Sequence, residues 1–193
     1  MHTKQRKYCR RCEYPLQTCI CSHLSLVDSS IHVSIMQDPS EVKHAKNTAR
    51  LIPLLLSRCE IFVGESPDDF LPVQQKLFEH PNSLLLYPVD NAIELSKASD
   101  SPVELTHILL LDGTWRKAKK LYLNNPWLHS IQKAKLGSRK ASQYRIRKVP
   151  SADSYSTIEA LAFALASLEG TPTKPFMQAL EALQSHWRGP LGY

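Results

Sequence analysis

The sequence predicts an α/β layered domain, a mostly parallel sheet with helices on both faces, and three observations lead there. Short apolar or β-branched runs alternate with helical patterns along the chain. The run 105–111 is nearly continuous and apolar, as strands covered on both faces are. The 193 residues, 42% hydrophobic and 22% charged, suffice for one sizeable core. In order, 31–35 reads as a buried strand ending at the Gln37-Asp38-Pro39 turn. Residues 41–56 read as a helix with Ala45, Ala49, Ile52 and Leu56 on one face and Pro53 as a bend. A short strand at 60–63, a helix at 72–79 and a strand at 83–87, stopped by Pro88, follow. After 105–111 comes the turn Asp112-Gly113-Thr114, then a helix over 115–123 with Thr114 as its N-cap. Residues 125–150 read as loop-rich and basic, and two helices, 156–169 and 175–187, follow.

No apolar run approaches the roughly 20 residues a membrane span needs. The basic N-terminus lacks the apolar stretch of a secretory signal, so a cytoplasmic protein is expected. Two units are expected, a small cysteine-rich segment at 1–24 and an α/β domain over 25–193.

Net charge is +6, unevenly spread. Eleven Lys or Arg and no Asp or Glu lie between Gly113 and Ala152, and five basic residues and no acidic one between Met1 and Cys12. The rest of the chain has eight basic against eighteen acidic residues. Such a block attracts polyanions and holds phosphates, so nucleic acid is the leading partner. Trp115, Tyr122, Trp127 and Tyr144 lie within the block, placed either to stack on unpaired bases or to serve the core.

Four of the five cysteines fall in Cys9-x2-Cys12-x6-Cys19-x-Cys21, too clustered for a disulfide scaffold. Reduced thiols at this spacing make a structural zinc site, and the metal would supply folding energy to a segment too short for its own core. A redox pair at Cys9 and Cys12 is the competing reading. Cys59 reads as a small core residue.

In an open parallel sheet ligands collect beyond the carboxyl ends of the strands, where Asp112 is expected. Gly113 allows a sharp turn, and the helix start beyond it offers free N–H groups to an anion. Asp112 is either a turn-former or a base beside a phosphate-binding surface.

Leu111-Asp112-Gly113-Thr114-Trp115 resembles the signature of the DTW-domain proteins. The resemblance extends through Cys9-Arg10-Arg11-Cys12, Cys19-Ile20-Cys21, Gln37-Asp38-Pro39-Ser40-Glu41 and Asn47-Thr48-Ala49-Arg50-Leu51. It continues in Leu86-Tyr87-Pro88, Ser142-Gln143-Tyr144-Arg145-Ile146-Arg147 and Ser156-Thr157-Ile158-Glu159-Ala160. The family pattern usually has His where this chain has Asp38. The resemblance implies a tRNA-uridine aminocarboxypropyltransferase, moving the 3-amino-3-carboxypropyl group of S-adenosylmethionine to N3 of a uridine in the tRNA variable loop. 5′-Methylthioadenosine would be released. It also implies a SPOUT-like fold with a C-terminal trefoil knot, an exception to unknotted topology.

On that reading Asp112 is the base. S-adenosylmethionine is expected against Leu86, Tyr87, Pro88, Leu111, Gly113, Thr114, Trp115, Ser156, Thr157 and Glu159, although Ser156 and Glu159 also spell a capping box. tRNA is expected against Arg10, Arg11, Arg116, Lys117, Lys119, Lys120, Arg139, Lys140, Tyr144, Arg145, Arg147 and Lys148. Asn47 and Arg50 could reach the cofactor end of the sheet. The competitors are an RNA methyltransferase of the same fold and a non-enzymatic zinc and RNA-binding module in ribosome assembly. DNA binding is not expected, because the sequence has no helix-turn-helix spacing and no dimerisation seam. No membrane partner is expected, and the sequence does not decide between monomer and dimer.

Overall fold

A computed structural model describes residues 7–95, 104–137, 142–146 and 154–186. Its centre is a six-stranded sheet, parallel throughout, built from β1 (His32–Gln37), β2 (Cys59–Val63), β3 (Ser83–Leu86), β4 (Ile93–Leu95), β5 (His107–Asp112) and β6 (Gln132–Leu136). The spatial order is β2-β1-β5-β3-β6-β4. β5, the apolar run predicted from the sequence, lies inside the sheet between β1 and β3. Four α-helices flank it: α1 (Leu71–Glu79), α2 (Trp115–Asn124), α3 (Thr157–Leu168) and α4 (Lys174–Ser185).

The alternation of side chains along β5 explains the two layers. Ile108 and Leu110 join one core with Val33, Ile35, Leu84 and the inner faces of α3 and α4. Leu109 joins the other with Met36, Leu85, Phe70, Val73 of α1 and Ala118 and Leu121 of α2. Helices thus cover both faces.

α2 begins where expected, with Thr114 accepting the Lys117 amide at 3.3 Å. α3 begins with the capping box read from the sequence: the Glu159 carboxylate accepts the Ser156 amide at 2.8 Å and its hydroxyl at 2.7 Å. A cap of this kind is worth about 1 kcal/mol. For α4, the residues predicted beyond 186 lie outside those described.

Three expectations need correction. The helix predicted over 41–56 is a pair of 3₁₀ turns, Pro39–Glu41 and Ala49–Leu54, joined by irregular chain. Ala45 is exposed, so the four-residue spacing marked no continuous buried face, and Pro53 inside the second turn removes a donor that an α-helix needs. The loop-rich stretch 125–150 contains a strand, β6, preceded by a 3₁₀ turn Pro126–Ser130. The three-residue β4 lies on its outer side, in a segment given no strand from the sequence. Among the described residues no helix is long and apolar enough to cross a membrane.

Candidate active site and four-cysteine centre

At the carboxyl end of the sheet, parallel register places Gln37 of β1 beside Asp112 of β5. The Gln37 side chain donates to Asp112 Oδ2 at 2.9 Å, and Asn47 Nδ2, from the loop after β1, donates to the same oxygen at 2.9 Å. Thr157, the first residue of α3, donates its hydroxyl to Oδ1 at 2.5 Å. Asp112 is therefore fixed from three separate segments and is only 5% exposed. Burial pushes its pKa above the ordinary carboxylate range, a rise that Glu41 reinforces; the three donors pull the other way and do not cancel it.

Glu41, 1% exposed, is paired with Lys117 at 2.7 Å. Gly113 lets α2 start hard against the strand end, since any side chain there would bring its Cβ to 2.9 Å from Lys117 Cβ. Asp38, at the position where the family pattern has His, is buried and accepts the Ser40 amide at 3.0 Å, capping the 3₁₀ turn that carries Glu41.

Two cavities meet at this point. One, about 310 Å³, is lined mainly by apolar groups: Leu86 at the end of β3 with Tyr87 and Pro88 after it, Leu110 and Leu111 of β5, Ala134 to Leu136 of β6 with Gly137 after it, and Ala118 and Ala160. The other, about 200 Å³, is lined mainly by polar residues, Glu41, Lys46, Asn47, Thr48, Asp112, Thr114, Tyr144, Ser154 and Ser156, and is called the polar cavity for them. Gly113, Trp115, Tyr155 and Thr157 line both. Trp115 is 44% exposed and its indole N–H donates to Ser154 at 3.3 Å.

Of the ten residues predicted to cradle the cofactor, nine line one cavity or both. The tenth, Glu159, is fully buried and lines neither; its carboxylate also accepts from the Ser142 hydroxyl at 2.8 Å and the Gln143 amide at 2.6 Å. Sequence reasoning placed the loop 154–159, and with it Tyr155, at the cradle, but missed the β6 residues. Gln37 entered only within a quoted motif.

The basic residues divide. Arg10, Arg11, Arg116 and Lys119 are exposed. Lys120 is exposed and pairs with Glu65 at 2.5 Å, and Arg145 pairs with Glu181 at 2.6 Å, both on the surface, where such pairs are worth little. Lys117 turns inward to Glu41. Tyr144 is 7% exposed, its hydroxyl donating to the Lys46 carbonyl at 2.6 Å, so its ring belongs to the wall of the polar cavity. Arg139, Lys140, Arg147 and Lys148 lie outside the described residues.

Cys9, Cys12, Cys19 and Cys21 converge, all four sulfurs within 4.8 Å of one another. The Cys9–Cys21 and Cys12–Cys19 separations are 3.6 and 3.7 Å. A tetrahedral zinc with Zn–S bonds of about 2.3 Å requires sulfurs about 3.8 Å apart, so the donor set fits zinc. The amides of Cys12 and Arg11 lower the Cys9 thiol to about 6, whereas burial and the three neighbouring sulfurs push Cys21 up to about 12. All four could be thiolates at once only with a cation among them. Cys59, the first residue of β2, is buried in the core.

The model of the DTW domain matches residues 6–188. The chain is 32% identical over 174 residues to tRNA-uridine aminocarboxypropyltransferase 2 of Drosophila melanogaster, covering 87% of this chain and 69% of that protein. To the protein of the same name from Mus musculus it is also 32% identical, covering 58% of that longer chain. The Macaca fascicularis protein of that name is 31% identical and likewise 58% covered. No solved structure matches. With the signature turn at the end of β5 and a family match running from before the four cysteines into the last residues beyond α4, the chain belongs to the DTW-domain family.

Proposed function

We propose that this protein transfers the 3-amino-3-carboxypropyl group of S-adenosylmethionine to N3 of a tRNA uridine. The observation that carries the reading is a buried carboxylate, Asp112, in the wall of the polar cavity at the carboxyl end of a parallel sheet, next to Gly113 and hydrogen-bonded to Thr157, which line both cavities. Together the two fall in the range of about 300–1,000 Å³ typical of small-molecule sites. The apolar cavity suits the adenine and methylthio portion against Leu86, Tyr87, Pro88, Leu111 and Trp115. The polar cavity suits the amino-acid end and the incoming uridine.

Asp112 accepts the N3 proton of uridine, which raises the nucleophilicity of that nitrogen. The N3–C bond forms as the C–S bond breaks, and the electron pair of the broken bond stays on sulfur. 5′-Methylthioadenosine leaves neutral, so no acid is required. Which group on sulfur is transferred depends on which carbon is presented to the nucleophile, and a site split into an apolar and a polar chamber is a means of presenting the γ-carbon. Arg10, Arg11, Arg116 and Lys119 offer charge to the tRNA backbone. Zinc held by the four cysteines is structural, its four ligands leaving no open position. The SPOUT-like class and its C-terminal knot belong to this same reading, and the entry of β5 and β6 between strands made earlier is compatible with it without requiring it. The reduced cytoplasm suits four zinc-binding thiols.

Nucleoside mass spectrometry of unmodified tRNA incubated with the protein and S-adenosylmethionine tests the reading. A uridine heavier by one aminocarboxypropyl group, with methylthioadenosine as by-product, is the expected result. A methylated nucleoside with S-adenosylhomocysteine would replace the transferred group. Intact tRNA with no S-adenosylmethionine binding would leave an RNA-binding module.

A further inference from the structure

The four-cysteine loop is connected to Asp112 by a short run of contacts. Of the three donors on Asp112, Gln37 is held by sheet register and Thr157 by the start of α3. Asn47 stands on irregular chain between two 3₁₀ turns. Its side chain, in a residue 3% exposed, nevertheless has a fixed orientation. Nδ2 donates to Asp112 Oδ2 at 2.9 Å and to the Glu41 carbonyl at 3.1 Å, and Oδ1 accepts the Arg50 amide at 3.1 Å. The Arg50 side chain runs the other way. Its guanidinium lies 4.2 Å from the centre of the Tyr14 ring and donates to the Cys12 carbonyl at 3.3 Å.

Both groups that Arg50 grips belong to the cysteine loop. Cys12 and Tyr14 flank Glu13, whose φ of 57° is the left-handed turn of the loop. The Cys9 amide donates to the Tyr14 carbonyl at 2.8 Å and the Glu13 amide to the Cys9 carbonyl at 3.0 Å, closing it. Cys12 is 2% exposed and Tyr14 9%, so the loop meets Arg50 away from solvent.

We infer that the metal-loaded cysteine loop positions Asp112 through Arg50 and Asn47, which act as positioning residues for the proton acceptor. The inference rests on Asp112 being the base. A segment this short keeps its shape through its metal. Without it the Cys12 carbonyl and the Tyr14 ring no longer hold Arg50, the turn that presents Asn47 loosens, and Asp112 loses one of the two donors on Oδ2.

The first test is hydrogen exchange of the full chain, zinc-loaded and after chelation. Faster exchange at the Arg50 amide and across 47–51 on zinc removal, with β3 unchanged, is the expected result. Unchanged protection at Arg50 in a chain shown by metal analysis to have lost its zinc would overturn the inference.

The second test is kinetic. In zinc-loaded protein Arg50→Ala should lower kcat about tenfold or more with the KM for S-adenosylmethionine nearly unchanged, since displacement of a reacting group is costly. Arg50→Lys, which can still donate to the Cys12 carbonyl, should recover part of the loss. The double variant with Asn47→Ala should be no slower than Asn47→Ala alone, because both act on one chain of contacts. Losses that multiply, or a kcat in Arg50→Ala within about twofold of wild type, would overturn it. Should Arg50→Ala shed its zinc, Asn47→Ala decides, since the side-chain hydrogen bonds of Asn47 go to Glu41, Asp112 and Arg50 and none to the loop: an unchanged kcat sinks the inference. Normal turnover in Asp112→Asn would instead remove the base assignment, and hydrogen exchange would still report whether loop and site are connected.

Discussion

The two ends of β5 make an instructive pair. The strand begins with His107 and ends with Asp112, both buried, both titratable and both hydrogen-bonded on each polar atom of the side chain. His107 is held by hydroxyls of the two neighbouring strands, with Nδ1 2.9 Å from Ser83 Oγ and Nε2 2.8 Å from Ser34 Oγ. Ser83 spends its own proton on the His80 carbonyl, so it accepts from Nδ1–H, and Nε2 accepts from Ser34. Neither cavity of the carboxyl end touches His107. Asp112 takes its partners from three segments distant in sequence and faces the polar cavity. Burial and hydrogen bonding therefore do not distinguish the two residues; the space beside Asp112 does, and the role proposed for it rests on that space.

The largest effect that would break this comparison is on activity. Asp112→Asn should cut kcat by about 10²–10⁴, the range of a lost general base. It should still fold. The amide oxygen can accept from Gln37 and Asn47, and the amide nitrogen can donate to Thr157 once that hydroxyl turns. His107→Gln should leave kcat near wild type, and a loss there comparable to that of Asp112→Asn would erase the distinction.

The second effect is pH-dependent stability, and the two ends should carry opposite signs. Burial, reinforced by His80, His32 and Lys76, lowers His107 from 6.5 to about 3. Its contribution is complete above about 6.5 and is lost as pH falls toward 3, at up to about 1.4 kcal/mol per pH unit. His107→Gln should flatten the acid side of stability measured by urea unfolding. Asp112 has a raised pKa, so its contribution is present below the unfolded carboxylate value and lost as pH rises through the folded one. Wild type should lose ground to Asp112→Asn as pH rises above the unfolded carboxylate value of 3.8, and a gain over that rise would contradict the burial argument.

A smaller effect separates the lysines and arginines of α2. Lys117→Ala leaves Glu41 buried beside Asp112 without that cation, and should cost about 2 kcal/mol, below the roughly 3–5 of a fully buried pair because Lys117 is partly exposed. Arg116→Ala and Lys119→Ala should barely change stability. Each should instead reduce the slope of log tRNA affinity against log salt by about one unit, which filter binding across a salt series measures.

What was legible in the sequence is what repeats or caps. The apolar run of β5, the Thr114 cap, the Ser156–Glu159 box and the cysteine spacing each state their structure within a few adjacent residues. β6 stayed hidden because only Ala134 of its five residues is fully buried and its lysines merge with the basic block. β4 is three residues long and its side chains are mostly exposed. The 41–56 stretch misled because its apolar spacing fits a helix, whereas Pro53 and the side-chain bond from Asn47 to the Arg50 amide organise it as separate turns. The setting of Asp112 was legible only in part, with Asn47 expected at that end of the sheet and Thr157 in the cradle but neither assigned to the carboxylate. Gln37, Asn47 and Thr157 are ordinary polar residues 75, 65 and 45 positions away from it, and only the topology brings them together.

The order of the sheet also governs when the site can exist. β3 pairs with β5 and β6, and β4 pairs with β6, so each must wait for strands synthesised after it. Before residue 136 leaves the ribosome, β4 has no neighbour and the wall that β6 gives the apolar cavity is missing. Pairing between strands this far apart in sequence is slow. Completion of the sheet is thus a late event and completion of the apolar cavity, which also needs Tyr155, Thr157 and Ala160, a later one, and a nascent chain stalled short of β6 would present Asp112 without that cavity beside it.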